Sequence, residues 1–223
     1  MEIKIKNRAS EGSEGGKEDK VLFDYPKLKT KRPNIKFLYD MKEVLYDREW
    51  AKITPNFAVY YVWREIKKEG DLRYDITEIT SKMLGKEFPK TQGHDHFLGY
   101  PELITVLKGK AIFLYQKCRS KRVDDVYCVS AKKGQTVIAP AGYSHFTINP
   151  SGEKLKFANW ISKKNTNIYD FVEKMRGACY YYTKSGWVKN RNYKKIPKLR
   201  FKKPLKSLPK NLNFLKKWPS TLR

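Results

Sequence analysis

Short runs rich in apolar and β-branched residues follow one another through the middle of the chain. The first covers residues 57–63, and further runs begin at residues 72, 102, 111, 126, 136, 145 and 155. Glycine-containing turns separate several of these runs, and short strands spaced in this way are typical of a β-sandwich or barrel. The pattern therefore predicts an all-β domain.

The two ends of the chain lack this pattern. Residues 1–34 are polar and contain a Ser-Glu-Gly-rich centre, which predicts a flexible or irregular N-terminal extension. Residues 35–188 contain the predicted strands, together with a segment of undecided type at 37–50 and a predicted short helix within 167–176. Residues 189–223 form a predicted C-terminal extension that is basic and interrupted by prolines.

The formal net charge of +25 favours an anionic partner or substrate. About half of it lies in residues 189–223, which carry 13 lysines and arginines and no acidic residue. Leucines recur between these cations, which favours a strap that lies against the barrel. An arm that binds nucleic acid is the less favoured alternative, because the segment lacks the signature of an RNA-binding fold.

Membrane and disulfide signals are both weak in this sequence. It contains no run of 18 apolar residues, so no transmembrane helix is predicted. The three cysteines are an odd number, which argues against a disulfide framework. Cys118 and Cys128 could face each other across a hairpin, but free thiols are the favoured interpretation. We therefore expect a cytoplasmic protein that does not enter a membrane.

The candidate chemistry is concentrated in residues 93–102. Two of the three histidines, His94 and His96, lie two residues apart, so on a strand they share a face. A Gly-Tyr-Pro turn can bring Glu102 back beside them, and the third histidine, His145, follows another tight turn. Three imidazoles and a carboxylate suit one divalent ion of iron, manganese, zinc or nickel, although a metal-free barrel remains the alternative.

The two histidine-bearing stretches resemble the two sequence motifs of the cupin superfamily. The second motif is matched in full by Gly134, Pro140, Gly142, His145 and Asn149. The first is matched by His-x-His, Glu102 and the glycine at 109, but one extra residue separates the second histidine from the glutamate. The resemblance implies a cupin fold, that is, a double-stranded β-helix or jelly-roll barrel, with short helices and terminal extensions.

Within that superfamily, residues 37–176 are similar to the archaeal-type, cupin-fold glucose-6-phosphate isomerases. The similarity is carried by Lys-Glu-Gly-Asp-Leu at 68–72, Gly-Lys-Glu-Phe at 85–88, Thr-Gln-Gly-His-Asp-His at 91–96, Pro-Glu at 101–102 and Leu-Lys-Gly-Lys at 107–110. It implies a homodimeric, metal-dependent isomerase that acts on a sugar phosphate and interconverts glucose 6-phosphate and fructose 6-phosphate.

The resemblance also implies roles for individual residues. The implied metal ligands are His94, His96, Glu102 and His145. The implied catalytic residues are Glu102, His145 and Tyr169. The implied substrate-binding residues are Thr77, Thr91 and Gly93.

Three tyrosines of the family are missing, and this chain has Ala58, Ile104 and Ile161 at those positions. Each replacement removes a hydroxyl group from the substrate pocket while the metal ligands are kept. This difference leaves two alternatives open. One is an isomerase for another sugar phosphate, and the other is a non-catalytic cupin that binds a sugar or nucleic acid.

Overall fold

The computed structural model describes residues 31–216, so most of the predicted N-terminal extension and residues 217–223 lie outside it. Two sheets face each other, and strands are numbered in chain order. In the first, the order is β1 (Asn34–Phe37), β2 (Ala58–Glu69), β3 (Leu72–Ile79), β10 (Leu155–Ser162), β5 (Glu102–Lys108) and β8 (Thr136–Ala139). In the second, it is β14 (Arg200–Lys202), β7 (Arg122–Lys132), β6 (Lys110–Arg119) and β9 (Ser144–Ile148). The predicted all-β fold is confirmed.

Two small strand pairs and three short helices complete the described part of the chain. The strand pairs are β4 (Asp95–His96) with β11 (Asn167–Ile168), and β12 (Tyr180–Thr183) with β13 (Gly186–Lys189). The helices are α1 (Leu38–Met41), α2 (Arg48–Ile53) and α3 (Asp170–Lys174), and 3-10 turns cover Lys42–Val44 and Asn213–Lys216. The segment of undecided type is thus mainly helical. The helix predicted within 167–176 is shorter than expected, because its first residues pair with β4.

The core fills the space between the two sheets. Phe113 on β6 meets Phe157 on β10 edge to face, with ring centroids 6.1 Å apart. Phe146 on β9 and Val106 on β5 are also buried and belong to the same apolar cluster. Alternate residues of each strand face this interior, and at one end of it polar side chains replace the apolar ones.

The cysteines do not form a disulfide. Cys128 lies opposite Leu114, and Cys118 lies opposite Val123, so the two thiols of the hairpin are out of register. All three cysteines are free, as the sequence favours.

The C-terminal segment lies along the barrel through residue 216. Its strand β14 pairs in parallel with β7, and the backbone N–H of Leu205 donates to the carbonyl of Thr136 on the other sheet. Leu212 and Leu215 are buried against residues of the first sheet, including Leu103. This arrangement is that of a strap, which covers an edge of each sheet.

Within residues 31–216, no helix is long and apolar enough to cross a membrane.

Candidate metal centre and substrate pocket

The segment that carries the first two histidines is held in place by a glycine. Gly93 has a φ of +79°, and a Cβ added there would lie 2.0 Å from the ring of Phe146. Any larger residue would therefore push the segment away from β9. In the observed position, His94 and His145 exchange two backbone hydrogen bonds, with N–O distances of 3.4 and 3.1 Å.

The three histidines and the glutamate meet at one point inside the barrel. Nε2 of His94 lies 3.1 Å from Nε2 of His96. The Glu102 carboxylate lies 3.2 Å from Nε2 of His96 and 3.6 Å from Nε2 of His145. All four residues offer a ligand atom, and these atoms lie within 4.8 Å of one another. Ligands at about 2.0–2.2 Å from a shared ion would have this spacing, so the donor set fits a transition metal.

A hydrogen bond orients the ring of His96 for metal binding. Its Nδ1 lies 2.5 Å from the backbone carbonyl oxygen of Tyr100, so Nδ1 carries the proton and donates it. Nε2 is then left with a free lone pair directed at the other ligands. This arrangement, with one ring nitrogen donating to a carbonyl and the other free, is common among metal-binding histidines.

Burial disfavours the protonated form of two of these imidazoles, those of His94 and His145. It lowers the pKa of His94 well below its ordinary value, and the neighbouring His145 and His96 lower it further. Burial also lowers the pKa of His145 to about 4, against the opposing effect of Glu102. For Glu102, burial raises the pKa, but the adjacent histidines outweigh it and the net shift is downward. Neutral imidazoles and an ionised carboxylate are the protonation states that bind a metal.

The pocket that His94, Glu102 and His145 line is also lined by two of the three predicted substrate-binding residues. Thr77 on β3, Thr91 and Tyr169 are all part of the pocket wall. The Thr91 hydroxyl oxygen accepts a 3.0 Å hydrogen bond from the backbone N–H of Thr147, so its own proton is available for a ligand. The Tyr169 ring centroid lies 5.8 Å from that of His94.

A tyrosine lies close to one of the positions at which the family's tyrosine is missing. Ala58 stands where the family has a tyrosine on the first strand, but Tyr60, two residues further along β2, lines the pocket. A tyrosine is therefore present on the same face of the strand as Ala58. The isoleucines at the other two positions carry no hydroxyl group. Ile104 lines the pocket, and Ile161 is fully buried.

Sequence reasoning missed a group of charged and amide residues in the pocket wall: Arg64, Arg73, Asp75 and Asn159. Two of them could have been found from the alternation of β3. Arg73 and Asp75 precede Thr77 by four and two residues, so they share its inward face. Arg64 could have been found in the same way from β2, because it is in phase with Tyr60 and Val62, which also line the pocket.

The fold and the site together define a cupin with a group of three histidines and a glutamate that could hold a metal ion. The chain matches the family model described as "Glucose-6-phosphate isomerase (GPI)" over residues 36–198, and it belongs to that family.

Curated relatives agree with this assignment. The chain is 31% identical to the glucose-6-phosphate isomerase of Pyrococcus furiosus over 145 residues, which cover 62% of this chain and 74% of the relative. It is 30% identical to the enzyme of the same name from Pyrococcus horikoshii, with the same coverage.

Solved structures show a weaker likeness. A cupin-2 domain protein of Rhodospirillum rubrum is 12% identical with a TM-score of 0.37, covering 48% of this chain and 62% of that one. An oxalate oxidase is 16% identical with a TM-score of 0.41, covering 52% of this chain and 57% of that one.

Proposed function

We propose that this protein is a metal-dependent aldose–ketose isomerase that interconverts glucose 6-phosphate and fructose 6-phosphate. The observation that carries the proposal is the convergence of His94, His96, Glu102 and His145, beside a pocket that three of them line together with Thr77 and Thr91. Membership of the glucose-6-phosphate isomerase family supports the same reaction.

The four ligand residues would hold one divalent ion, which would polarise the substrate carbonyl and stabilise the negative charge that develops as hydrogen moves between C1 and C2. The two ring nitrogens of His96 have different partners, because Nδ1 donates to the Tyr100 carbonyl oxygen and Nε2 lies beside His94 and Glu102. Glu102 is buried beside both His96 and His145, which fixes its carboxylate at the reacting end of the pocket.

Two routes are consistent with this placement. In the first, Glu102 accepts a proton from C2 and returns it to C1, acting as a general base and then as a general acid. In the second, hydrogen moves between the carbons as a hydride and Glu102 serves only as a ligand. Reaction in deuterated water separates them, because the first route incorporates solvent deuterium and the second does not.

Polar groups further along the pocket would hold the rest of the substrate. Thr91 can donate its hydroxyl proton, and the backbone of Gly93 would contact the substrate, as the family resemblance implies. Thr77, on strand β3 of the first sheet, adds a second hydroxyl group to the pocket wall. Tyr169 stands beside His94, where its ring would cover the bound sugar.

A coupled spectrophotometric assay tests the reaction directly. We expect the metal-loaded protein to form fructose 6-phosphate from glucose 6-phosphate, and a chelator to abolish the activity. E102Q should lose most activity, whereas E153Q, which alters an exposed glutamate, should match the wild type. Turnover that survives metal removal, or an E102Q variant as active as E153Q, would contradict the proposal.

Ile104 and Ile161 support a second candidate, an isomerase for another sugar phosphate. Both are apolar where the family has hydroxyl groups, so the pocket offers fewer hydrogen bonds to the sugar. A panel that includes mannose 6-phosphate and pentose phosphates, assayed with the same protein, decides between the two candidates. Higher kcat/KM on any of these than on glucose 6-phosphate would favour the second.

We also propose that the protein is a cytoplasmic homodimer, as its family resemblance implies. Free cysteines are consistent with a reducing compartment. An exposed apolar group lies on and beside the edge strand β1, and it comprises Ile35, Phe37, Tyr39 and Ile53. Light scattering after size exclusion should show a dimer for the wild type and a shift toward monomer for I53K, because Ile53 is 85% exposed.

A further inference from the structure

Beside the metal ligands lies a charged cluster that the reaction as described above does not use. It consists of Arg64, Arg73 and Asp75, and all three line the pocket. Oδ2 of Asp75 accepts from both arginines, at 3.0 Å from Nε of Arg73 and 3.4 Å from Nη1 of Arg64. We refer to these three residues as the arginine cluster.

The backbone of β2 is distorted directly after Arg64. Pairing with β3 is lost between Trp63 and Lys67, and Glu65 has a φ of 54°. The backbone N–H of Glu65 donates a 2.7 Å hydrogen bond to Oδ1 of Asp75. Asp75 therefore stabilises the bulge with one oxygen and holds the two guanidinium groups with the other. Left-handed backbone at a glutamate is costly, and it is found where surrounding contacts enforce it.

The cluster carries a net positive charge that is free to act on a ligand. One carboxylate neutralises only one of the two guanidinium groups. The Asp75 side chain is 3% exposed, whereas those of Arg73 and Arg64 are 14% and 40% exposed. The carboxylate thus lies behind the arginines, and the bond to Asp75 uses only one of the five N–H groups of Arg73.

The cluster stands next to the altered part of the pocket. Arg73 pairs with Ile161 across β3 and β10, and Asp75 pairs with Asn159, which in turn pairs with Ile104 on β5. Both isoleucines occupy positions at which the resemblance predicts tyrosine. Where neutral hydroxyl groups are absent, this chain therefore presents fixed cations on the adjoining strand.

We propose that Arg64 and Arg73, held by Asp75, bind the phosphate group of the sugar-phosphate substrate. Phosphate oxygens match the fork of a guanidinium group, and such contacts are short and strong. The distance is compatible, because Asp75 and Thr77 are two residues apart on one face of β3, or about 6.6 Å. A phosphate that accepts from Thr77 is within the reach of guanidinium groups anchored at Asp75.

Lys36 extends the positive surface toward the outside. Its Nζ lies 5.4 Å from the ring centroid of Tyr169, which also lines the pocket. A dianion that approaches the pocket therefore meets Lys36 and the half-exposed Arg64 before it reaches Arg73. Cations arranged along an entrance in this way increase the rate at which an anionic substrate is captured.

The test compares R64M, R73K and the double variant R64M/R73K with the control K67M/K68M. R64M leaves the bond between Arg73 and Asp75 in place, and R73K keeps the charge beside Asp75 while removing the fork, so each should fold. The control removes two exposed lysines from the same strand. Two quantities are measured on metal-loaded protein: the Kd for inorganic phosphate by calorimetry and the KM for glucose 6-phosphate.

We expect the double variant to weaken phosphate binding by about tenfold or more, with a similar rise in KM and little change in kcat, since the contact is made in both ground and transition states. The control should resemble the wild type. A change of less than about threefold in the phosphate Kd of both R64M and the double variant would overturn the assignment.

The inference rests on the proposed function, but the two fail in different ways. If the wild type binds phosphate through the arginines and does not interconvert glucose 6-phosphate and fructose 6-phosphate, the proposed reaction is wrong and the anion site stands. If the wild type is an active isomerase and KM and phosphate affinity are unchanged in every arginine variant, the reaction stands and the anion site is wrong.

Discussion

Lys90 and Glu87 form a buried ion pair just before the metal-binding segment, and its removal should destabilise the protein strongly. Lys90 Nζ lies 2.5 Å from the Glu87 carboxylate and 2.9 Å from the backbone carbonyl of Val44. The two side chains are only 3% and 2% exposed. The other Glu87 oxygen accepts from the backbone N–H of Tyr46. The pair therefore joins residues 44–46 to the segment that leads to Gly93.

The variant K90M leaves the Glu87 carboxylate buried without a cation. Breaking a buried pair on one side costs about 3–5 kcal/mol in free energy of unfolding. For a chain of this size, each kcal/mol corresponds to about 2–4 °C, so we expect the melting temperature to fall by about 6–20 °C. Lys86 is exposed, and K86M provides a control that removes the same charge without breaking the pair.

The loss of folding stability in K90M should depend on pH in a defined direction. Burial raises the pKa of Glu87 even with Lys90 present. A raised pKa in the folded state means that the folded protein binds the proton more tightly than the unfolded chain does. The destabilisation of K90M should therefore be small in acid, where Glu87 is protonated in both states, and should grow as the pH rises above the ordinary carboxyl range.

Thermal unfolding of K90M, K86M and the double variant E87Q/K90M in the presence of chelator measures these effects without a contribution from metal binding. The double variant removes both charges and should recover most of the loss, because no unpaired charge remains. If K90M melts within about 2 °C of K86M at neutral pH, the reasoning from burial is refuted.

Three further predictions concern the metal, the substrate and the strap. H145A should bind a divalent ion at least 10–100-fold more weakly than the wild type, the loss typical of even a supporting residue, and elemental analysis of protein purified without chelator checks this. T91A should raise KM for glucose 6-phosphate several-fold with kcat nearly unchanged, as initial rates over a substrate series will show. L215A should lower the free energy of unfolding by about 2–5 kcal/mol in a denaturant titration, whereas L208A, at a 40% exposed position, should change it little.

The grouping of the four candidate ligands was predictable because its signal is local. His94 and His96 are two residues apart, and glycine and proline residues mark the turns before Glu102 and His145. The strands were predictable for the same reason, since period-two alternation and turn residues act over a few positions. The family resemblance then linked the two distant stretches, which no local pattern could have done.

The arrangement of the arginine cluster around Asp75 was not predictable, because it depends on contacts between two strands. Alternation alone puts Arg64 on the same side as Tyr60 and Val62, and nothing in residues 63–67 is a glycine or proline that would mark the bulge. The bulge is fixed instead by Asp75 on the next strand through the Glu65 backbone. Such a contact is visible only once the two strands are paired in register.

The position of the metal ligands is set from several directions by contacts of different kinds. Gly93 allows close approach to Phe146, and β4 pairs with β11, so that His96 lies opposite Asn167. The hydroxyl of Ser144 donates to Asp95 at 2.5 Å, between the two histidines of the segment. Because these supports are independent, a change in one should shift the segment without unfolding the barrel. Catalytic groups must be placed to within about 0.5 Å, so such variants should lose activity well before they lose stability.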